Sequence, residues 1–384
     1  MKRKVTAPKG IKQLIEHFES LPDPRIERTR HHPLINIIVM ALCGVICGAD
    51  GWEMIELYCK ERFEFFAGFL DMPSGIPSAD TFRRVLSALN PQAFEAAFRK
   101  WVATLTGSLA GQTVAIDGKT LRGALARSSE GGPFHLVHVW LIGEQLLLAQ
   151  RAVEGAPGEI AATLDLLPQL DLKGATVTAD ANSCTAAMTK ECREAGANYV
   201  LALKGNRGAL HAHVKELFAE AEMKQFRGIR KFESHDQAHG RVEDRVVRAI
   251  RLGELPQRMK ANWIDLDTAV RVERSRTVNG KTSHEVFYYV TNVAPDPESI
   301  AGRIRGHWSI ENQLHYCLDV AFNEDARRIH DGNGAQNFAL IARSALMLLK
   351  RENSRKLSLA MKRRRAMWSH DYLLQVLTAG MVEV

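Results

Sequence analysis

TVAID at residues 113–117 is a short β-branched and apolar run that ends in an acid, and it marks where the chain changes from helical to extended patterning. Two further strands are predicted over 134–142 and 145–153, joined by a tight turn at 143–144. Beyond them, helices and strands alternate over 159–167, 175–180, 184–195 and 199–204. Three meandering strands followed by this alternation predict an α/β fold, a mixed sheet with helices on its faces.

The residues that precede this segment are predicted to be helical. Apolar side chains recur at helical spacing within 34–45 and again within 94–101. The longest apolar run, residues 34–49, is interrupted by Asn36 and is shorter than the ~20 residues that a membrane span needs. We therefore expect an all-α N-terminal domain that contains a buried helix, and no membrane as a partner.

Composition narrows the class of protein. Of the 384 residues, 46% are hydrophobic and 25% are charged, as in a globular enzyme and unlike a disordered, collagenous or coiled-coil protein. The six cysteines include no C-x-x-C pair and no zinc-binding spacing. The basic residues 1–4 are not followed closely by an apolar region, so we expect no signal peptide and a cytoplasmic protein.

The positive charge is concentrated near the end of the chain. Overall, 51 basic and 44 acidic side chains give a net charge of +7. Residues 341–365 hold nine Lys or Arg and one acid, and end in KRRR at 362–365. This tract predicts contact with nucleic acid, and a merely solvated face is the alternative.

Two acids occupy the same place in the predicted sheet. Asp117 and Asp180 are each the last residue of a predicted strand, followed by Gly or Ala. Side chains at the carboxyl ends of strands open into the crevice where α/β proteins bind ligands. For either acid alone, capping a turn or a helix is an equally good interpretation.

Glu311 is the third acid of interest, in a helix predicted to begin near Pro297 with Asp296 as its N-cap. At 100° per residue, Glu311 lies within about 20° of four apolar side chains. These are Ile300, Ile304, Leu318 and Phe322. A carboxylate on that face requires a cation, because its desolvation costs several kcal/mol. The alternative to a metal is a core ion pair with Arg303, Arg305 or His315.

Bringing three acids together has a chemical consequence. Carboxylates 4 Å apart repel by about 4 kcal/mol per pair at an effective dielectric of 20. A divalent metal removes this repulsion, and oxygen-only ligation favours Mg²⁺ or Mn²⁺ over zinc. Two such ions about 3.5–4 Å apart can activate a water or a 3′-hydroxyl and stabilise the leaving oxygen in a phosphoryl displacement. Together with the basic tract, the acids predict polynucleotidyl transfer.

Several short motifs resemble those of the ISAs-type, H-repeat-associated insertion-sequence transposases, a DDE group within the IS-four-like superfamily. They are AIDGKTLRG at 115–123, TADA at 178–181, YVLALKGN at 199–206, HGRVE at 239–243, and HWSIENQLH at 307–315 with LDV at 318–320. The resemblance extends from Phe18 almost to Leu377. It is therefore specific and covers nearly the whole chain.

The resemblance implies a ribonuclease-H-like catalytic domain in which Asp117, Asp180 and Glu311 bind two Mg²⁺ ions. A β-rich insertion is implied between the second and third acids, where strands are predicted over 242–251, 268–274 and 285–291. The resulting division is a helical DNA-binding domain at 1–108, catalytic parts at 109–207 and 293–384, and the insertion at 208–292. A structure in which the insertion strands continue the Asp117 sheet would contradict this division.

This chain departs from the family pattern at two places. Family members often carry Leu-His after the Asp-Ala of the second motif, whereas this chain has Asn182 and Ser183. In the Tyr, Arg, Glu, Lys signature of the wider superfamily, His307 replaces the Arg and Leu318 replaces the Lys. The roles of that Arg and Lys therefore do not carry over.

Basic and polar residues near the acids and in the basic tract are predicted DNA contacts. Lys119 and Arg122 follow Asp117 closely enough to reach a phosphate, with a surface ion pair as the alternative. Lys204 and Asn206 end a predicted strand and are placed in the same crevice. The other predicted contacts are Arg241, for which a solvated turn residue is the alternative, Arg305, Arg363, Arg364 and Arg365.

These features favour an insertion-sequence transposase. Such a protein would hydrolyse the phosphodiester at each terminal inverted repeat of double-stranded DNA and join the freed 3′-hydroxyls to target DNA. Because two ends are cut together, a homodimer or larger assembly on DNA is expected. A catalytically inactive DNA-binding relic and a metal-dependent nuclease without strand transfer are the alternatives.

Overall fold

The computed structural model describes residues 9–125, 133–153, 158–238, 240–253, 256, 262–329 and 331–379. The basic residues 1–4 and His239 of the fourth motif lie outside these ranges. Within them, nine strands form one mixed sheet with helices packed on it. The predicted α/β class with a helical N-terminal region is confirmed.

The N-terminal region is helical throughout the described residues. Its helices are α1 (Lys9–Phe18), α2 (Leu34–Ile46), α3 (Trp52–Glu61), α4 (Phe63–Ala67), α5 (Ala79–Ala88) and α6 (Pro91–Ala103). Side-chain caps fix two of the helix starts, since Ser78 accepts a hydrogen bond from the Thr81 amide and Asn90 accepts one from the Ala93 amide. The sequence therefore sets the starts of α5 and α6 locally.

The first five strands form the part of the sheet that carries the acids. They are β1 (Thr113–Leu125), β2 (Pro133–Leu141), β3 (Leu146–Val153), β4 (Thr176–Ala179) and β5 (Asn198–Leu203). Their order is β3-β2-β1-β4-β5, with β1 parallel to β4, β4 parallel to β5, and β2 antiparallel to both neighbours. This is the ribonuclease-H-like arrangement that the resemblance implies.

The remaining strands extend the same sheet. They are β6 (Lys231–Ala238), β7 (Arg241–Arg251), β8 (Thr268–Val278) and β9 (Lys281–Thr291), and β9 pairs antiparallel with β5 from Val200↔Thr291 to Leu203↔Tyr288. The predicted β-rich segment at 208–292 is present, but its strands continue the Asp117 sheet, so the prediction that it is an insertion set apart from that sheet is wrong. An unpaired edge on β5 would expose its backbone groups, and β9 covers that edge. The sequence pattern also missed β6, which is polar and largely exposed.

Helices connect and cover the sheet. They are α7 (Glu159–Leu166), α8 (Ala186–Glu194), α9 (Gly208–Met223), α10 (Pro297–His307), α11 (Tyr316–Phe322), α12 (Gly332–Arg351), α13 (Leu359–Trp368) and α14 (His370–Thr378). Among these, α10 contacts strands from β1 across to β7. Its Ile300 and Ile304 pack against Val247 and Val270 of the extended part of the sheet. This helix therefore ties the two parts of the sheet together.

One hydrophobic core runs from the N-terminal helices to the C-terminal ones. Helix α12 packs against α2 and α5, and Trp52 meets Phe338 of α12 edge to face with ring centroids 4.9 Å apart. Buried Asn337 of α12 donates hydrogen bonds to the Leu86 and Leu89 carbonyls at the end of α5. The N-terminal helices therefore complete their packing only with α12.

Helix α2 carries the longest apolar run, and the structure places it inside this core. The segment Glu27–Ile46 is long and apolar enough to cross a membrane by length and composition alone, and 67% of it is buried within the protein. Twelve of the thirteen residues of α2 are buried, among them Asn36, which donates to the Asp71 carbonyl. The prediction of a buried core helix at this position is confirmed.

Candidate active site

Asp117 and Asp180 lie side by side on neighbouring strands. The parallel pairing of β1 with β4 ends at Ile116↔Ala179, and the residue after each of these two is one of the acids. Only Asp180 lies at the carboxyl end of its strand, directly after the last residue of β4. The expectation that Asp117 is also strand-terminal is wrong, because β1 continues to Leu125 along β2 and Asp117 pairs with His138 there.

The loop after Asp180 is braced by hydrogen bonds. Asp180 Oδ1 accepts from the Ser183 amide at 3.1 Å, as a turn-capping aspartate does. Asn206 Nδ2 donates to the Ala181 carbonyl at 2.8 Å, and Arg207 donates to the Asn182 and Cys184 carbonyls. Asn206 therefore supports the loop that follows Asp180, and the loop retains a defined conformation without the family's Leu-His.

Glu311 approaches the two aspartates from a break in its helix. Residues Glu311–His315 form a π-helical segment between α10 and α11, and Ile310 and Leu314 are buried beside it. Glu311 is exposed, not central on the apolar face, because the π turn interrupts the 100° progression on which that expectation depended. Among the described residues it makes no ion pair. The predicted alternative of a core ion pair for Glu311 is thereby removed.

Burial and charge both act on Asp117. Burial raises the pKa of this carboxyl to about 7, and the negative charges of Glu311, Asp180 and Glu159 act in the same direction. A hydrogen bond from the Gly118 amide opposes the shift. Each of these three acids therefore lies close enough to Asp117 to repel its carboxylate.

The nearest imidazole does not neutralise this charge. His315 Nδ1 lies 3.7 Å from Asp117 Oδ2. Burial lowers the pKa of His315 to about 3, and the positive charges of Arg343 and Lys119 add to the effect. His315 is therefore neutral at physiological pH, and the acids keep an excess of negative charge.

The donor set fits a hard divalent cation. Oxygen donors with uncompensated negative charge are what Mg²⁺ and Mn²⁺ bind. In the described ranges, however, no three His, Cys, Asp or Glu side chains are arranged closely enough to hold one ion. The acids therefore form an open cluster that would have to contract around a metal.

Lys119 is occupied within the protein. Its Nζ donates to both oxygens of Asp319, at 2.7 and 2.8 Å, lies 3.6 Å from Asp325, and is largely buried. The prediction that Lys119 contacts DNA is therefore not supported by this arrangement, since the alternative ion pair is formed. Arg122 differs, because its side chain is 80% exposed with Asp325 3.6 Å away.

The other predicted DNA contacts outside the basic tract differ in exposure and in whether an acid of the protein already binds them. Lys204 is exposed at the end of β5. Arg305 Nη2 donates to Asp236 Oδ1 at 2.8 Å, and the same Asp236 also binds Arg245. Arg241 is exposed at the first position of β7, 3.7 Å from Glu243. Only Lys204 of this group borders the acids.

The basic tract is not uniformly exposed. Arg363 is buried, donates to the Val45 and Ala321 carbonyls and to Asp50, and packs over the Phe322 ring. The prediction that Arg363 contacts DNA is therefore wrong. Arg365 stacks on Tyr372 with 4.1 Å from its guanidinium carbon to the ring centroid. Arg364 alone among the three is exposed.

A cavity opens beside Asp180. It has a volume of about 650 Å³ and lies between β4, β5, β9 and the end of α10. Its wall includes Lys204 and Lys215 together with Tyr288 and Trp308. A cationic and aromatic wall next to the acids matches the phosphates and bases of a nucleic acid.

The sequence analysis missed Glu159. This residue is at the start of α7, its carboxylate contacts Nε2 of His135 on β2, and it acts on Asp117 through its charge. A Cβ at Gly118 would collide with both members of this pair, which explains the glycine after Asp117. The only signal in the sequence was an acid at the first turn of a helix, a common feature with no chemical meaning of its own.

Asp117→Asn is expected to stabilise the metal-free protein at pH 8 by about 2 kcal/mol and to have little effect near pH 4. Because the folded-state pKa lies above the unfolded value of 3.8, Asp117 costs stability progressively as the pH rises from about 4 to about 7. Urea unfolding at several pH values measures this. Asp71→Asn, at an exposed loop position, is the control. A gain from Asp117→Asn that does not depend on pH would contradict the expectation.

Comparisons with known proteins agree with the geometry. The "Transposase DDE domain" family matches residues 109–348, and the "DDE_Tnp_1-associated" family matches residues 15–102. The candidate transposase YncI of Escherichia coli O157:H7 is 32% identical over 96% of this chain and 95% of its own length. The H repeat-associated candidate transposase YhhI of Escherichia coli K12 is 31% identical over 96% of this chain and 99% of its own length.

A solved structure is also similar. The piggyBac transposase synaptic complex with hairpin DNA, determined by cryo-electron microscopy, has a TM-score of 0.44 and 11% identity, covering 99% of this chain and 80% of that one. The family matches and the whole-length relatives confirm the resemblance drawn from the motifs. The chain belongs to the DDE-domain transposase family and is related along its length to the H repeat-associated transposase proteins of Escherichia coli.

Proposed function

We propose that this protein is an insertion-sequence transposase that hydrolyses the phosphodiester at each terminal inverted repeat and joins the 3′-hydroxyls to target DNA. The observation that carries the proposal is the convergence of Asp117, Asp180 and Glu311 from β1, from the end of β4 and from the π-helical segment. Family membership supports the reaction class. We place its activity in the bacterial cytoplasm, where the DNA is.

Asp117, Asp180 and Glu311 would hold two Mg²⁺ ions, with Mn²⁺ as a substitute. When bound, the ions would supply the positive charge that stabilises an in-line displacement at phosphorus. The raised pKa of Asp117 supports this assignment, because a cation would offset the burial of the carboxylate and the neighbouring negative charges, which together raise that pKa. Glu311 contributes a carboxylate that no side chain of the described residues neutralises.

The protein's own residues would bind and orient the DNA. Lys204 and Lys215 at the cavity beside Asp180 would hold phosphates next to the acids. The exposed Arg122 would extend this contact along β1, and Arg364 would add one from the C-terminal helices. The N-terminal helices, within the separate family match at 15–102, would recognise the terminal repeats. Two ends must be held together, so a homodimer or larger assembly on DNA is expected.

The experiment incubates purified protein with labelled ends of its own element and Mg²⁺, and scores nicked and joined products on a denaturing gel. Nicking at the repeat ends followed by joining supports the proposal. Binding without either product supports the inactive relic, and nicking without joining supports the nuclease. The Glu311→Gln variant, purified in the same way, controls for contaminating nuclease, because a contaminant would still cut the DNA.

A further inference from the structure

A chain of buried polar side chains runs from the C-terminal helices to Asp117. Arg343 of α12 is fully buried and binds Glu324 with both terminal nitrogens, at 2.7 and 3.2 Å. Its Nε donates to His138 Nε2 at 2.9 Å. His138 Nδ1 lies 3.2 Å from His315 Nε2, and His315 Nδ1 faces Asp117 Oδ2 at 3.7 Å.

The hydrogen bonds of this chain have one direction. Arg343 is always protonated and has no acceptor atom, so His138 Nε2 must accept and carries no proton. His138 then has its proton on Nδ1 and donates it to His315 Nε2. His315 in turn has its proton on Nδ1, on the side of Asp117. The Arg343–Glu324 pair thus fixes the tautomers of two histidines.

The hydrogen-bond chain ends beside Asp117 and the segment that carries Glu311. His138 is the cross-strand partner of Asp117 on β2, and His315 is the last residue of the π-helical segment that begins with Glu311. Fixing the His315 ring therefore constrains both the Asp117 carboxylate and the turn that carries Glu311. The 3.7 Å separation is longer than a hydrogen bond, so the last link closes when the two groups approach by about 0.8 Å.

We propose that Glu324, Arg343, His138 and His315 form a one-way hydrogen-bond chain that orients the Asp117 carboxylate, with His315 as the positioning residue. The catalytic part of this inference rests on the proposed function. Burying an arginine, a glutamate and an imidazole at 0–3% exposure is expensive unless each is paired, and this chain pairs all of them. A carboxylate held from one side presents its free oxygen to the other acids.

The first test measures the rate of Mg²⁺-dependent nicking at labelled ends. His315→Leu is expected to lower kcat by about 10–100-fold with DNA affinity unchanged, and His315→Gln, which keeps an N–H donor, to recover most of the loss. Asn337→Leu is the matched control, because Asn337 is buried on the same helix as Arg343 but donates to the end of α5 and makes none of the hydrogen bonds of the proposed chain. A kcat for His315→Leu within twofold of the control would overturn the proposal.

The second test does not depend on cleavage. In the full-length protein with ¹⁵N-labelled histidine, NMR should find the ring proton of both His138 and His315 on Nδ1, each signal being assigned by its loss in the His138→Gln or His315→Gln variant. A proton on Nε2 of either ring would overturn the proposal. If the wild-type protein nicks no DNA, the proposed function fails while the tautomers still decide whether the chain exists.

Discussion

Glu311→Gln should abolish cleavage of the element ends, by roughly 10³-fold or more, while DNA binding persists. Glutamine is nearly isosteric with glutamate but lacks its negative charge, which a divalent cation requires. Glu311 is exposed and forms no ion pair among the described residues, so folding should change by about 0.5 kcal/mol or less. Gel-shift affinity and nicking rate, measured on the same preparation, separate the two effects.

Asp319→Asn is the matched control for Glu311→Gln. Asp319 lies eight residues further along and accepts two hydrogen bonds from Lys119, so its loss should leave partial activity. Asp325 is in a short turn after the helix, because α11 ends at Phe322 and Asn323 takes a left-handed conformation. Robust cleavage by Glu311→Gln, with none by Asp319→Asn or Asp325→Asn, would contradict the assignment of Glu311. The third metal ligand would then be Asp319 or Asp325.

Arg363→Met should destabilise the fold by about 2–4 kcal/mol, whereas Arg364→Ala should change stability by about 0.5 kcal/mol or less. Arg363 is buried, and its removal leaves Asp50 and the Val45 carbonyl without their donor. Arg364 is its exposed neighbour in the same helix. Urea unfolding measures the difference between these adjacent arginines.

For DNA binding, we expect the larger effect from Arg364→Ala and not from Arg363→Met. Losing one phosphate contact lowers the log–log slope of affinity against salt by roughly 0.9, and only Arg364→Ala is expected to do so. A flatter slope for a folded Arg363→Met with an unchanged slope for Arg364→Ala would contradict the structure. An unchanged slope in both would make this part of the tract a solvated surface.

The sequence predicted the part of the fold that local patterns determine. Residues 113–117 and 175–180 were each predicted to be a strand, and the structure has β1 and β4 at these positions, paired with one another. The pattern could not predict that β9 would pair with β5, because pairing between distant strands depends on which edge is free and not on either strand's own residues. The predicted boundary at 208 therefore does not correspond to an edge of the sheet.

For the site, the assignment of the three acids stays a prediction, and the exposure of individual side chains was predicted poorly from the sequence. Glu311 was selected as a buried residue of a regular helix, and its helix instead contains a π turn that places it at the surface. Lys119 and Arg363 were predicted to contact DNA, with a surface ion pair as the alternative for Lys119. The acids that they bind, Asp319 and Asp50, are far from them in the sequence. Such pairs form only when the tertiary fold brings distant segments together.

The packing of α12 against α2 has a consequence for how the chain is made. The ribosome releases α2 first and α12 nearly at the end, and at 5–20 residues per second the interval is about 15–60 s. During that time the most apolar helix of the protein can pack only against its N-terminal neighbours α1, α3 and α5, and the surface that α12 covers stays exposed. We therefore expect a chain that is truncated before residue 332 to fold poorly, because α2 would then lack the surface that α12 covers.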